Sequence, residues 1–325
     1  MNSSRPVRMS VVLVVYRDSE NLRLVLKRLI AQTAVSVLEC VLITTSRAKT
    51  DWVPSFLQSM RWQVVEVGSI RSAGTAKAAG VAAASAPLVC FLEDHSYPDP
   101  LWAESLLRAH ENGDFAAVGP VVLNANPGTG ASWGCFLVYY GQYMWARPEE
   151  QLGHLPANHS CYRRALLLDY GQRLPDLLEA EIVIHHDLLG RGFRLFQESS
   201  ARTYHLNHSR LGPAVEEYFF ASRVFAAERA SGWGFMRRML YAVGSPLLPL
   251  VRSVRILSDV HHAGLRRRVL VKAIPAALST LAAGAVGEMV GYAAGAGRAK
   301  ERLQRFESRR NRVFSPGDLE LARMV

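Results

Sequence analysis

The feature that most constrains the fold is an alternation of short apolar strands with helical segments along the first hundred residues. Asp18 or Ser19 can cap a helix after the first strand, and residues 74–84 form a small-residue helix that can lie close to a sheet or a ligand. Strands separated by helices indicate an α/β fold with a mostly parallel sheet flanked by helices. Four apolar runs are short enough to be buried strands: residues 10–16, 37–45, 62–67 and 89–92.

Three polar side chains follow the fourth strand directly: Glu93, Asp94 and His95. Asp99 and Pro100 then read as the N-cap and first-turn proline of a helix. Open α/β sheets bind ligands at the carboxyl ends of their strands, and carboxylates with one imidazole suit a divalent cation or a diphosphate–metal complex. The alternative is an acidic turn that only caps the helix.

Composition sets the size of the core and the state of the thiols. With 325 residues, 49% hydrophobic and 20% charged, the chain can bury one substantial core and carry an appendage. The apolar run near the N-terminus is only seven residues long, so we expect a first strand there and not a signal peptide. No CxxC pair occurs, which predicts buried thiols in place of disulfides or zinc ligands for Cys40, Cys90, Cys135 and Cys161.

The positive charge is confined to the C-terminal part of the chain. Residues 1–235 contain 22 basic and 22 acidic side chains, whereas residues 236–325 contain 16 basic and 6 acidic ones. Basic clusters flank two apolar runs, 239–251 and 273–287, each below the roughly 20 residues that a spanning helix needs. We therefore expect a membrane-associated helical appendage on an anionic surface, with a helical subdomain packed on the core as the alternative. The tail matches no nucleic-acid module, so no nucleic-acid partner is expected.

The middle of the chain gives weaker signals. Residues 124–134 are rich in Gly, Asn and Pro, which predicts an irregular loop. The aromatic residues of the following stretch, 135–145, are expected to pack mainly in the core.

The segments SVVLVVYRDSENLRLVLKRLIAQT, the small-residue helix and FLEDHSYPDPLW occur in an order and spacing that resemble family 2 glycosyltransferases. The resemblance covers roughly residues 9–210 and implies the GT-A nucleotide-sugar fold. It also implies an inverting transfer of a sugar from a nucleoside-diphosphate sugar to a hydroxyl acceptor. A nucleotidyltransferase of similar fold is disfavoured because no glycine-rich, lysine-bearing loop follows the first strand. A catalytically degraded, membrane-bound scaffold is the non-enzyme alternative.

The same resemblance implies a catalytic base. Gly192-Phe193-Arg194-Leu195 and Tyr204-His205 match the end of the family pattern, and counting back from Gly192 places Glu181 at the position of the base. Glu179 is the second candidate. A carboxylate within hydrogen-bond reach can take the proton of a sugar hydroxyl as it attacks. In the alternative interpretation, both residues are exposed acids at the start of a helix, where the helix dipole favours them.

The family pattern also implies a donor site and a metal site, with three departures. Thr44-Thr45-Ser46 replaces the aspartate that reads the base, Lys77-Ala78 replaces an Arg-Asn pair, and His95 stands where a metal-binding aspartate is usual. The implied metal, Mn²⁺ or Mg²⁺, would be bound by Asp94, His95 and His205. The positions implied to contact the nucleotide sugar are Val15, Tyr16, Thr45, Lys77, Glu93, Asp94, Asn158 and His159.

Two domains are predicted from these patterns. Residues 1–232 form a GT-A-like catalytic domain, and residues 233–325 form a basic, apolar helical region. Because of that region, we expect the chain at the cytoplasmic face of the cell membrane, with a lipid-linked or cell-envelope polysaccharide acceptor.

Overall fold

The computed structural model describes residues 6–17, 19–70, 72–149, 152–310 and 314–325, so Asp18, one of the two predicted caps, lies outside the described residues. Eight strands form one mixed, mostly parallel sheet in the order β3-β2-β1-β4-β7-β6-β8-β5. Strands β1 to β4 pair in parallel, while β7 pairs antiparallel with β4 and with β6. The strands are β1 (Met9–Val15), β2 (Leu38–Thr44), β3 (Arg61–Glu66), β4 (Leu88–Leu92), β5 (Ser96–Pro98), β6 (Phe115–Asn124), β7 (Cys161–Arg163) and β8 (Arg194–His205).

The helices follow the predicted alternation in the first part of the chain and become continuous in the last part. A short 3₁₀ turn at Ser245–Leu247 joins α10 to α11. The helices are α1 (Glu20–Ile30), α2 (Val53–Phe56), α3 (Ala73–Ala83), α4 (Trp102–Asn112), α5 (Gly130–Tyr139), α6 (Arg164–Leu168), α7 (Leu174–Leu178), α8 (Glu181–Gly190), α9 (Leu211–Arg229), α10 (Phe235–Gly244), α11 (Leu248–His262), α12 (Arg267–Ala294), α13 (Ala299–Glu307) and α14 (Pro316–Met324).

The chain divides into two compact units. The first comprises Met1–Val122 and Ala146–Tyr204, and the second comprises Leu123–Trp145 and His205–Val325. The first unit contains most of the sheet, and in the second α12 packs on α9 and α5. The predicted division into residues 1–232 and 233–325 stays a prediction.

The predicted strand–helix alternation is confirmed in the first unit. Ser19 caps α1 by accepting a hydrogen bond from the Leu22 backbone N–H at 3.1 Å, as the sequence predicted. The small-residue helix α3 packs tightly, because a Cβ atom at Gly80 would collide with Val12 on β1. A Cβ atom at Gly74 would collide in the same way with the Pro175 carbonyl.

Two local predictions are wrong. Helix α4 begins at Trp102 with Leu101 at its N-cap, because the Asp99 N–H donates to the Arg202 carbonyl at 2.9 Å and holds Asp99 outside the helix. Residues 130–134 are helical and not a loop. The Thr129 hydroxyl caps α5 by accepting from the Ser132 N–H at 3.0 Å, and Gly134 lets α5 pack directly against α12.

The tail of the chain forms longer helices than its uncharged runs suggested. Helix α12 continues through Pro275 and past Glu288, which is buried and paired with Arg252. By length and composition alone, Phe235–His262 and Arg267–Ala294 could each cross a membrane. The four cysteines are buried free thiols, which confirms the prediction made from their spacing.

Candidate active site

The first residue of α8, Glu181, is a buried carboxylate with three hydrogen-bond donors. The residue is only 2% exposed, so the alternative in which Glu181 is an exposed acid is wrong. Oε1 accepts from Lys77 Nζ at 2.7 Å and from the Asn158 backbone N–H at 3.1 Å. Oε2 accepts from the Tyr162 hydroxyl at 3.0 Å. A buried charge held by a cation and two further donors is stable and fixed in orientation.

The second candidate base, Glu179, lies in a different environment. Its Oε1 accepts a hydrogen bond from the Gly74 N–H at 2.5 Å, which is in the first turn of α3. A carboxylate at that place satisfies a backbone donor that the helix itself leaves unpaired. Glu179 therefore joins α3 to the C-terminal end of α7.

Behind Glu181 lies a buried tyrosine–histidine pair that the sequence did not predict. The Tyr162 hydroxyl is 2.7 Å from His185 Nε2, and the two rings stack at 5.7 Å between centroids. Burial lowers the pKa of His185 well below its ordinary value, and nearby His154 and His186 lower it further. The imidazole is therefore neutral.

The direction of this hydrogen-bond chain follows from the backbone. The Leu155 N–H donates to His185 Nδ1 at 3.4 Å, so the single imidazole proton is on Nε2. Nε2–H donates to the Tyr162 oxygen, which leaves the Tyr162 proton for Glu181. Burial, reinforced by Glu181, raises the pKa of Tyr162 well above its ordinary value and keeps that proton in place.

Asn158 connects the base to the acidic end of β4. Its backbone has φ +63°, an uncommon value for a residue with a side chain. Its Nδ2 donates to Glu93 Oε1 at 2.8 Å, and its Oδ1 accepts from Lys77 Nζ. The structure thus brings four predicted site residues, Lys77, Glu93, Asn158 and Glu181, into one network.

Carboxylate and imidazole atoms converge at Glu93. Its Oε2 lies 3.5 Å from His159 Nε2 and 3.7 Å from His95 Nε2. The other nitrogen of His95, Nδ1, is 2.9 Å from Asp94 Oδ1, so Asp94 holds the back of that ring. One carboxylate oxygen with two imidazole nitrogens fits Mn²⁺ better than Mg²⁺, which prefers oxygen alone. A carboxylate behind a histidine is a common way to orient a metal-binding ring.

The ends of β1 and β2 are joined by a lysine that the sequence did not single out. Lys49 Nζ donates to the Tyr16 carbonyl at 3.1 Å and to Thr45 Oγ1 at 2.6 Å. Val15, just before Tyr16, is buried at the end of β1. Three predicted nucleotide-contacting residues therefore lie at one sheet edge, next to a cation. The only sequence signal for Lys49 was its position four residues after Thr45.

His205, the last residue of β8, is oriented by a buried amide network in the second unit. Asn207 Nδ2 donates to Asn124 Oδ1 at 3.0 Å and to the His205 carbonyl at 2.9 Å, so its Oδ1 faces His205 Nδ1 at 2.9 Å. Asn207 Oδ1 therefore accepts from His205 Nδ1–H. Asn126 accepts from the Asn207 N–H at 2.8 Å.

The same network reaches the last helix of the chain. Asn126 Nδ2 donates to Asp318 Oδ1 at 2.9 Å. Burial alone would raise the pKa of Asp318, but hydrogen bonds from Asn126, Ser209 and Ser315 lower it overall. Asp318 is therefore an anion that holds Asn126 in place. Since the partners are 192 positions apart, no sequence pattern could have joined them.

Comparisons with known proteins bear on the family and on the fold. Residues 10–171 match the family model described as Glycosyl transferase family 2. No curated protein matches the chain significantly. Similar solved structures include a mannosyltransferase, PcManGT from Pyrobaculum calidifontis in complex with GDP-Man and Mn²⁺, with a TM-score of 0.55, 14% identity and 88% of each chain covered. Residues 1–349 of S. aureus TarS in complex with UDP give a TM-score of 0.52 and 14% identity, covering 91% of this chain and 92% of that one.

These structural likenesses, at such low identity, concern the fold alone. The family match includes Lys77, Glu93 and Asn158, and it ends shortly before Glu181. Residues 10–171 therefore form a glycosyltransferase family 2 domain, and the chain is a glycosyltransferase.

Proposed function

We propose that the protein transfers a sugar from a nucleoside-diphosphate sugar to a hydroxyl acceptor with inversion, and that Glu181 is the general base. The observation that carries this proposal is the buried Glu181 carboxylate, oriented by Lys77, Asn158 and Tyr162. Its place at the start of α8 is the one that the family pattern assigned to the base. The ordered environment also favours an enzyme over the scaffold alternative.

In this reaction, the acceptor oxygen attacks the anomeric carbon while the bond from that carbon to the diphosphate oxygen breaks. The acceptor proton moves to Glu181, and the nucleoside diphosphate leaves with the bonding electrons. A positioned carboxylate contributes about 10²–10⁴-fold to such a step. Tyr162 and Asn158 keep the carboxylate from rotating away from the acceptor.

Lys77 has two roles in the proposal. Without donor, its ammonium group pairs with Glu181 at 2.7 Å and neutralises a buried charge. A diphosphate carries more negative charge than one carboxylate, so donor binding is expected to draw Lys77 toward the phosphates. The move would leave a lone pair of Glu181 Oε1 open to the acceptor hydroxyl.

A divalent cation, preferably Mn²⁺, fits the atoms around Glu93. We propose that Glu93, His95 and His159 hold it and that Asp94 orients His95. The role of His205 stays a prediction. When bound, such a cation would neutralise charge on the donor diphosphate. Support comes from PcManGT, whose structure contains GDP-Man and Mn²⁺.

The acceptor and the location follow from the tail. Residues 236–325 carry the whole charge imbalance of the chain, and two of their helical segments are long and apolar enough to enter a membrane. We propose that the protein works at the cytoplasmic face of the cell membrane on a lipid-linked or cell-envelope polysaccharide acceptor. Lys49 and Thr45 are proposed to lie near the nucleoside, whose base is left open by the sequence.

The proposal is tested with purified full-length protein and a panel of nucleotide sugars, scored for nucleoside-diphosphate release with and without Mn²⁺ or Mg²⁺. Glu181→Gln should retain donor binding and lower turnover by about a hundredfold or more. Glu179→Gln is the matched control and should keep most of the turnover. If Glu179→Gln is inactive and Glu181→Gln is active, Glu181 is not the base. Donor binding without turnover by the wild type, across the panel and with acceptor lipids, would favour the scaffold.

A further inference from the structure

The outer face of Phe235–His262 is an uninterrupted stripe of exposed apolar side chains. Apart from the adjacent Leu250 and Val251, they follow one another at intervals of three or four residues, which places them on one side of a helix. Large apolar side chains this exposed are unusual on a protein surface in water. The stripe consists of Met236 (78% exposed), Leu240 (70%), Val243 (79%), Leu247 (65%), Leu250 (70%), Val251 (53%), Val254 (62%) and Leu257 (53%).

The opposite side of the same segment is packed within the second unit. Ala242, Ser245, Asp259 and Val260 are all buried, and both α10 and α11 contact α12. The segment therefore has one protein-facing side and one apolar outer side. At 1.5 Å per residue, its 28 residues extend over about 42 Å.

The positions of the arginines argue against a membrane-spanning segment. Arg238 and Arg252 face the protein, where they bind the Tyr292 carbonyl and Glu288. On the outer side, the seventeen residues between Arg237 and Arg255 form about 26 Å of helix, whereas the hydrocarbon core is about 30 Å thick. Arg237 and Arg255 are eighteen residues apart, which is five helical turns, so both lie along one edge of the stripe. Both are exposed. Cations along the length of an apolar stripe are typical of a helix lying in a membrane surface.

We infer that this stripe is an in-plane anchor that lies in a single anionic membrane leaflet, with the apolar residues among the acyl chains and Arg237 and Arg255 at the lipid phosphates. The excess of basic side chains in residues 236–325, 16 against 6 acidic ones, complements an anionic surface. A second copy of the chain is a poorer occupant, because a symmetric contact would bring the stripe's own arginines toward each other. This inference rests on the membrane location proposed above, and it identifies the surface by which the protein is attached there.

The membrane depth of fluorescent labels placed along the stripe distinguishes an in-plane anchor from a spanning helix. Val243→Cys, Leu250→Cys and Leu257→Cys introduce single labelling sites seven residues apart, and the four native cysteines are buried. Full-length protein carrying a fluorophore at each site is bound to vesicles containing lipids with quenchers at known depths. We expect the same shallow depth at all three sites. A steep change in depth from one site to the next would overturn the inference in favour of a spanning helix.

Vesicle flotation tests the side chains themselves. Leu250→Glu should lower binding to phosphatidylserine-containing vesicles at least tenfold, while Leu101→Glu, at an exposed leucine of the first unit, should not. Arg255→Glu should weaken binding to these vesicles more than binding to neutral ones, and Arg108→Glu is its exposed control. Wild type that stays unbound at low salt, or that buries the stripe in a concentration-dependent dimer, would overturn the inference. Flotation needs no nucleotide sugar, so its outcome is separate from that of the donor assay.

Discussion

At the residue scale, the proposed base depends on a histidine that must remain neutral. His185 is fully buried, and its Nε2–H completes the hydrogen bond to Tyr162, which in turn donates to Glu181. Protonated His185 would have to donate from Nδ1 as well, where it now accepts from the Leu155 N–H. At acidic pH, His185 Nδ1–H and the Leu155 N–H would therefore be two donors directed at each other in the core.

The pH dependence of stability should reveal this histidine. Because burial holds the pKa of His185 well below its ordinary value, the unfolded chain takes up a proton first as the pH falls below about 6.5. Its contribution to stability is thus complete above that pH and is lost toward acid, by at most about 1.4 kcal/mol per pH unit. His185→Gln should flatten the fall in the free energy of unfolding between pH 7.5 and 5, measured by urea titration.

The neighbouring histidine supplies the control for that experiment. His186 is exposed, so His186→Gln should leave the slope close to that of the wild type. If the two variants have the same slope as the wild type, His185 is not held neutral by the fold.

Sequence reasoning reached some of these residues and not others, for a physical reason. Glu181 was found because its distance from Gly192 along one helix and turn is fixed by the family pattern. Tyr162 and Lys49 were missed because their roles arise from contacts between separate elements. Tyr162 looks in the sequence like an ordinary apolar strand residue, and only the packing of β7 on α8 gives its hydroxyl two partners.

At the scale of elements, glycines decide how α12 packs. Cβ atoms at Gly287 and Gly291 would collide with the Phe219 and Arg223 carbonyls of α9. Gly134 of α5 lies equally close to α12, at Ala276. Backbone atoms cannot turn aside as side chains can, so these contacts fix the helix positions.

Adding one methyl group tests this packing. Gly287→Ala should destabilise the protein by about 1–3 kcal/mol, since overpacking a close contact costs that much. Gly212→Ala, in α9, is the matched control: nothing lies within 4 Å of its Cβ position, and its φ is not positive. We expect it to be neutral or stabilising by up to about 1 kcal/mol. Thermal unfolding of both variants in one buffer compares them, and equal midpoints would contradict the close packing of α12 on α9.

The same contacts explain why some helices could be predicted from the sequence and others could not. The strands and α1 were predictable because periodic burial and the Ser19 cap are local signals. Helix α5 was not, since its glycines read as loop residues. They are tolerated in that helix because α12, more than a hundred residues later, packs against Gly130 and Gly134.

At the scale of the whole molecule, the predicted boundary after Gly232 falls inside the second compact unit. Charge and hydropathy change at that point, which is why the sequence favours a boundary there. Contacts follow a different division, because α9 and α5 precede Gly232 and pack on α12, which follows it. The composition of a segment indicates whether its surroundings are polar or apolar, but it does not show which segments pack in the same core.

A chain ending at Gly232 tests which division governs folding. It would lack α12 and expose the α9 face formed by Tyr218, Ser222 and Ala226, so we expect it to aggregate and to lose donor binding. Full-length Leu250→Glu is the control, because it removes membrane contact and keeps α12. If Leu250→Glu is soluble and the fragment aggregates, the loss of donor binding is due to the missing packing of α12 on α9 and α5. A monodisperse fragment that binds nucleotide sugar would instead establish residues 1–232 as an independent domain, with the tail serving only for attachment.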